Sequence, residues 1–155
     1  MTAVSPPPVS DLSAHLGFWL RAVSNHVSQA FAGKLDGKGV TVAEWALLRT
    51  LYGKPPTPPS HLAAEMGMSR GAITKLADRL IGKSLVLRQA SAHDGRAQTL
   101  ALSPQGVGLV PELAALADRN DSEFFGQLSA EERATLERLL KRMVEQSAMH
   151  RMPLA

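Results

Sequence analysis

A chain of 155 residues with 45% apolar and 20% charged residues is long enough for one domain with a hydrophobic core and ordinary in composition for a soluble protein. It contains no cysteine, which excludes disulfides, thiolate metal sites and thiol redox sensing. The net charge of +3 is modest, but the segment Ser69 to Gln98 sets six basic residues (Arg70, Lys75, Arg79, Lys83, Arg88, Arg96) against only Asp78 and Asp94 and so carries the whole excess.

Residues 1–10 are rich in Pro and Ser and are expected to form a disordered tail. They lack a basic region followed by an apolar run. Nor does any segment reach the roughly 18 consecutive apolar residues of a membrane span, so a cytoplasmic location is expected. From Asp11, the residues Leu12, Leu16, Trp19, Leu20, Val23, Val27 and Phe31 follow helical spacing. Gly33 and then Gly37-Lys38-Gly39 are expected to end that helix. Thr41-Val42-Ala43-Glu44 reads as a capping box, with Trp45, Leu48, Leu51 and Tyr52 as the apolar stripe behind it. Gly53 and Pro55-Pro56 stop this second helix.

A short helix is expected from about Pro58 to Met66, with Thr57 as its cap and Gly67 closing it. Ser69 then caps another helix whose inward positions are Ile73, Leu76, Ala77 and Leu80. Two helices separated only by Gly67-Met68-Ser69 make a helix-turn-helix. The period next changes. Leu85-Val86-Leu87-Arg88 and Gln98 to Leu102 read as strands of a hairpin with a polar, basic tip, the arrangement of a wing. Ser103-Pro104 opens a long helix containing Pro111, where a kink is expected. Ser129-Ala130-Glu131-Glu132 is a second capping box, followed by Leu136, Leu139, Leu140, Met143 and Val144 at helical spacing. The fold class is therefore mainly α with a small β-hairpin wing (α+β), a winged helix-turn-helix.

With Ile73, Leu76 and Leu80 inward, Arg70, Gly71, Thr74, Lys75 and Asp78 face outward on a helix suited to the major groove of DNA. Arg70 can pair with guanine O6 and N7, and Thr74 can touch a thymine methyl or a phosphate. Ser69 can bind phosphate at the helix start, Gly71 leaves room for close approach, and Lys75 suits a phosphate better than a base. At the hairpin tip, His93-Asp94-Gly95-Arg96 offers an arginine for the minor groove. Asp94 would orient a nearby arginine, or simply form the turn with Gly95.

These residues resemble the MarR family of bacterial transcriptional regulators. The likeness runs over nearly the whole chain. It is most specific at Ser69, Ile73-Thr74-Lys75-Leu76, Asp78-Arg79-Leu80, Leu85-Val86-Leu87-Arg88, Asp94-Gly95-Arg96-Ala97 and Leu100 to Gly106. The resemblance implies a homodimer, joined by a helical dimerisation region (11–40 and 104–150), with one winged helix-turn-helix (41–103) per subunit. It implies binding to double-stranded DNA at a palindromic operator, and release by a phenolic or other aromatic acid held between the two regions. By motif position, Ser69, Arg70, Thr74 and Lys75 match recognition-helix contacts, Arg96 the wing arginine and Asp94 its partner. Ser84 departs from the family's usual glycine. If that turn needs a positive φ, serine there costs about 1 kcal/mol, or the turn is built differently.

For the effector, Trp19 and His26 on the first helix, with Trp45 and Arg49 on the second, could hold an aromatic anion. The competing reading makes both tryptophans core residues and Arg49 a surface ion pair. Other functional classes are weaker. The histidines His15, His26, His61, His93 and His150 are scattered without metal spacing, and no nucleophile elbow or phosphate-binding loop is present, so no enzyme, cofactor or metal is expected. A DNA-packaging protein would spread its basic residues more widely, whereas a winged helix used for protein contacts is a further alternative. A ligand-independent DNA-binding protein and an activator remain open alternatives to a ligand-released repressor.

Overall fold

The computed structural model describes residues 3–91 and 97–146. A 3-10 turn, Leu12–Ala14, leads into α1 (Leu16–Asp36), followed by α2 (Val42–Leu51), α3 (Pro59–Met66) and α4 (Arg70–Gly82). The strands β1 (Val86–Ala90) and β2 (Gln98–Leu102) come next, then α5 (Pro104–Phe125) and α6 (Ala130–Gln146).

The first helix starts later than the sequence suggests, and of the two expected stops it passes the first and ends at Gly37. Gly33 lies inside it rather than at its end. A glycine in a helix interior costs about 1 kcal/mol against alanine, but the turn around it is held by tertiary contacts. Leu35 is fully buried. Lys34 donates to Asn120 Oδ1 at 3.0 Å and pairs with Glu123 at 2.9 Å, which ties α1 to α5. The start of α1 has no such support, and Leu16, Phe18, Trp19, Leu20 and Val23 are exposed.

At α2 the cap forms as expected, with Thr41 Oγ1 accepting from the Glu44 amide at 3.1 Å. The box does not close. Glu44 is buried, and its carboxylate accepts from Lys83 Nζ at 2.7 Å instead. A buried carboxylate needs a cation more than it needs a capping amide. At α3, Thr57 is not the cap. Pro58 occupies that position without a side-chain bond, and Pro59 begins the helix. Thr57 extends the sheet, exchanging backbone bonds with Leu100 at 2.9 and 2.8 Å. Gly67 closes α3 at φ +66°, as the turn requires.

Ser69 caps α4 by accepting from the Ala72 amide at 3.1 Å. The hairpin is antiparallel, with Val86 opposite Leu102 and Ala90 opposite Gln98. The first strand lies slightly later than the sequence suggests, because buried Leu85 belongs to the turn before it. Ser103 caps α5 by accepting from the Gly106 amide at 3.0 Å, and the helix continues through Pro111. The second capping box is complete: Ser129 Oγ accepts from the Glu132 amide, and Glu132 accepts from the Ser129 amide at 2.9 Å. The amide of Ser129, then its hydroxyl, hold the Glu132 carboxyl below the ordinary carboxylate value.

The core forms where α2, α3, α4, β2 and α5 meet, around Leu47, Leu48, Leu62, Ile73, Leu80, Leu100, Val110 and Leu113. No residue of α6 is buried. In the turn between α4 and β1, Ser84 adopts φ +63°, so the turn keeps the left-handed geometry despite the side chain. Ser84→Gly should therefore stabilise the fold by up to about 1 kcal/mol, read as a rise in melting temperature. A lowered melting temperature would show that the serine side chain contributes more than its backbone costs.

Candidate nucleic-acid interface

The recognition face follows from helix geometry. At 100° per residue, Ile73, Leu76, Ala77 and Leu80 fall on one side of α4, and all four are buried. Arg70, Gly71, Thr74, Lys75, Asp78 and Arg79 fall on the other half of the wheel, and all are exposed. Thr74 Oγ1 donates to the Arg70 carbonyl at 3.0 Å, and its oxygen keeps lone pairs that can still accept at this exposed position. The Ser69 oxygen accepts the capping bond, which leaves its hydroxyl proton available for a phosphate. At Gly71 a methyl group would meet nothing within 4 Å in the protein, so any need for glycine there comes from an approaching partner.

Charge pairing sharpens this face. Arg88 on β1 donates to Asp78 Oδ1 at 2.7 Å, which offsets the one carboxylate that would repel phosphate. Lys83 is held by Glu44. Two of the six basic residues that marked the segment are thus occupied within the chain. Arg70, Lys75 and Arg79 have no ion-pair partner among the described residues. Arg79 contributes to the charge excess, and its place four residues after Lys75 puts it on the same exposed face, a spacing legible in the sequence. The hairpin begins four residues after α4 ends, beside this face. Its tip residues His93, Asp94 and Arg96 lie outside the described residues.

The four candidate effector contacts are spread along α1 and α2. Trp45 is half-buried where α2 meets α1, edge-on to Phe31 with ring centroids 6.2 Å apart. Arg49, one turn on, is exposed and lies 5.8 Å from the Tyr52 ring. His26 is exposed on α1. Trp19 is 53% exposed, edge-on to Phe18, and its indole N–H donates to the Ser13 carbonyl at 2.8 Å. Twelve residues of α1 separate Trp19 from Phe31, roughly 18 Å along the axis. Within one chain, Trp45 and Arg49 are therefore neighbours and Trp19 is remote from both.

Comparison with known proteins agrees with this architecture. A model described as the MarR family matches residues 38–97. A Thauera aromatica protein named "Putative transcriptional regulatory protein for hcr operon" is 32% identical over 138 residues, covering 88% of this chain and 83% of that protein. The crystal structure of a probable transcriptional regulator from Pseudomonas aeruginosa superposes with a TM-score of 0.78 at 32% identity, covering 86% of this chain and 99% of that one. A mutant MarR from E. coli, solved in complex with operator DNA, gives a TM-score of 0.76 at 26% identity over 83% of this chain and 92% of that one. An exposed cationic helix beside a hairpin, with sequence and fold shared over more than four fifths of the chain, places it in the MarR family of transcriptional regulators.

Proposed function

We propose that the protein binds a palindromic operator as a homodimer, represses transcription there, and is released by a small aromatic acid. The observation that carries the DNA-binding part is the exposed face of α4. Arg70, Lys75 and Arg79 stand there without carboxylate partners among the described residues, with the hairpin alongside. In this reading Arg70 and Thr74 read bases, Ser69, Lys75 and Arg79 hold phosphates, and Gly71 admits the duplex closely. His93, Asp94 and Arg96 would carry the wing contact in the minor groove.

The homodimer is supported by the apolar surface left uncovered. Leu140, Met143 and Val144 on α6 are exposed, as are Leu16, Leu20 and Val23 on α1. A helix with an apolar stripe and no buried residue calls for a second surface to cover it. The proposed dimerisation region is thus 11–40 with 104–150, and the winged helix-turn-helix is 41–103. An aromatic acid would enter beside Trp45, with Arg49 pairing its carboxylate and His26 offered from α1. Trp19 would join such a site only across a dimer.

Selection of bound fragments from a random duplex pool, with and without salicylate-like acids, tests the reading. A palindrome should emerge, and the acid should deplete it. For the selected duplex, log affinity should fall with log salt at a slope of roughly −4 if Lys75 and Arg79 of two subunits neutralise four phosphates. A near-flat slope, or no enriched sequence, would sink the DNA-binding assignment of α4.

A further inference from the structure

The turn that ends α4 is gripped from two sides. Lys83 Nζ donates to the Gly39 carbonyl at 2.7 Å and to Glu44 Oε2 at 2.7 Å, which ties the end of the recognition helix to the loop between α1 and α2. On the other side, Ser103 Oγ donates to the Ser84 carbonyl at 2.6 Å, and the Ser103 amide donates to the Leu85 carbonyl at 3.0 Å. Gly106 backs that carbonyl so closely that a methyl group there would sit 2.2 Å from the Leu85 oxygen. Residues 83–85 are thus where α4, the wing, the α1–α2 loop and α5 are joined.

From this we infer that Lys83, held by Glu44 and Gly39, is a positioning residue for DNA recognition: it fixes the angle of α4 and thereby the sequence preference, without touching DNA. The inference rests on the reading of α4 as the base-reading helix. Thirteen helical residues separate the Lys83 end from Arg70 by about 20 Å. A tilt of about 6° at the Lys83 end would carry Arg70 sideways by roughly 2 Å, and a bidentate pair tolerates only about 0.5 Å. Contacts to phosphate are more forgiving, because charge attraction falls slowly with distance. Loosening the clamp should therefore cost discrimination before it costs affinity for DNA in general.

The test uses full-length protein carrying Lys83→Met, Lys83→Arg or Glu44→Gln, with Arg70→Ala as reference. Affinity is measured for the selected operator and for an unrelated duplex of equal length, across a salt series, with thermal unfolding in parallel. Lys83→Met should lower the ratio of specific to non-specific affinity by about 10-fold or more, a loss comparable to one base contact. Affinity for the unrelated duplex should stay within about 2-fold, and the salt slope should not change, because a lysine already paired with Glu44 releases no counterions. Lys83→Arg, which retains donors and charge, should recover most of the ratio.

A salt slope that falls by about 2 on both duplexes would mean that Lys83 of each subunit binds phosphate, and overturns the inference. So would an unchanged ratio in folded Lys83→Met protein. If that variant does not fold, Glu44→Gln takes its place, because it keeps the size of the side chain but removes the charge that holds Lys83, and an unchanged ratio there counts equally against the clamp. Unfolding of both variants would make it a stability element only, which also overturns it. Failure of the underlying reading looks different: Arg70→Ala would then leave the ratio unchanged as well.

Discussion

Arg70→Ala should reduce affinity for the selected operator by about 2–6 kcal/mol when both subunits carry it, roughly 30-fold to 20,000-fold, because a bidentate arginine–guanine pair is worth about 1–3 kcal/mol. Arg70 opens α4, is exposed and has no ion pair to lose among the described residues. Its removal should therefore leave the melting temperature nearly unchanged, since its side chain makes no hydrogen bond or ion pair among the described residues. Anisotropy titrations against operators mutated one position at a time provide the check. The loss should vanish at the positions that Arg70 reads and persist elsewhere. An equal loss on every duplex would reassign Arg70 to phosphate. Lys75→Ala provides the contrast, weakening all sequences alike and flattening the salt slope.

The second large effect is expected at α6. Leu140 and Val144 lie one turn apart on the same stripe, and both are exposed, at 37% and 41%. A carboxylate at either position costs little in a single chain, where each would stand in water. In a dimer seam, four introduced charges would have to be buried unpaired, and each buried charge costs several kcal/mol. Leu140→Glu with Val144→Glu should therefore convert a sedimenting dimer to a monomer while the helical content persists. Operator affinity should fall to that of a single half-site. A double variant that still sediments as a dimer would place the interface elsewhere.

Both predictions begin from features legible in the sequence. The caps at Thr41, Ser69, Ser103 and Ser129 were readable because each bond spans three residues and depends on nothing else. The inward positions of α4 were readable because its hydrophobic spacing matches the helical period. The same local logic misplaced Glu44, Thr57 and Gly33. Glu44 stands three residues after Thr41, as a capping box demands, but its carboxylate is taken by Lys83 from 39 residues away. Thr57 stands where a cap belongs, yet it pairs with Leu100 because that strand edge passes beside it. Gly33 looks like a helix stop, but α5 packs against this stretch and the helix runs on to Asp36.

Charge was the subtler case. A sum over residues 69–98 locates the basic excess, yet it cannot say which cations are free. That depends on ion pairs such as Asp78 with Arg88, whose partners belong to a helix and to a strand folded against it.

The order of helices and strands, the caps at Thr41, Ser69, Ser103 and Ser129, and the polar side of α4 were determined by the sequence alone, since each is set by interactions within a few residues. Which cations stay unpaired, where the sheet gains a third partner, and how α4 is clamped were decided by the tertiary structure. Those outcomes depend on groups tens of residues apart, and a buried carboxylate or an open strand edge takes whichever partner the packed chain brings within reach.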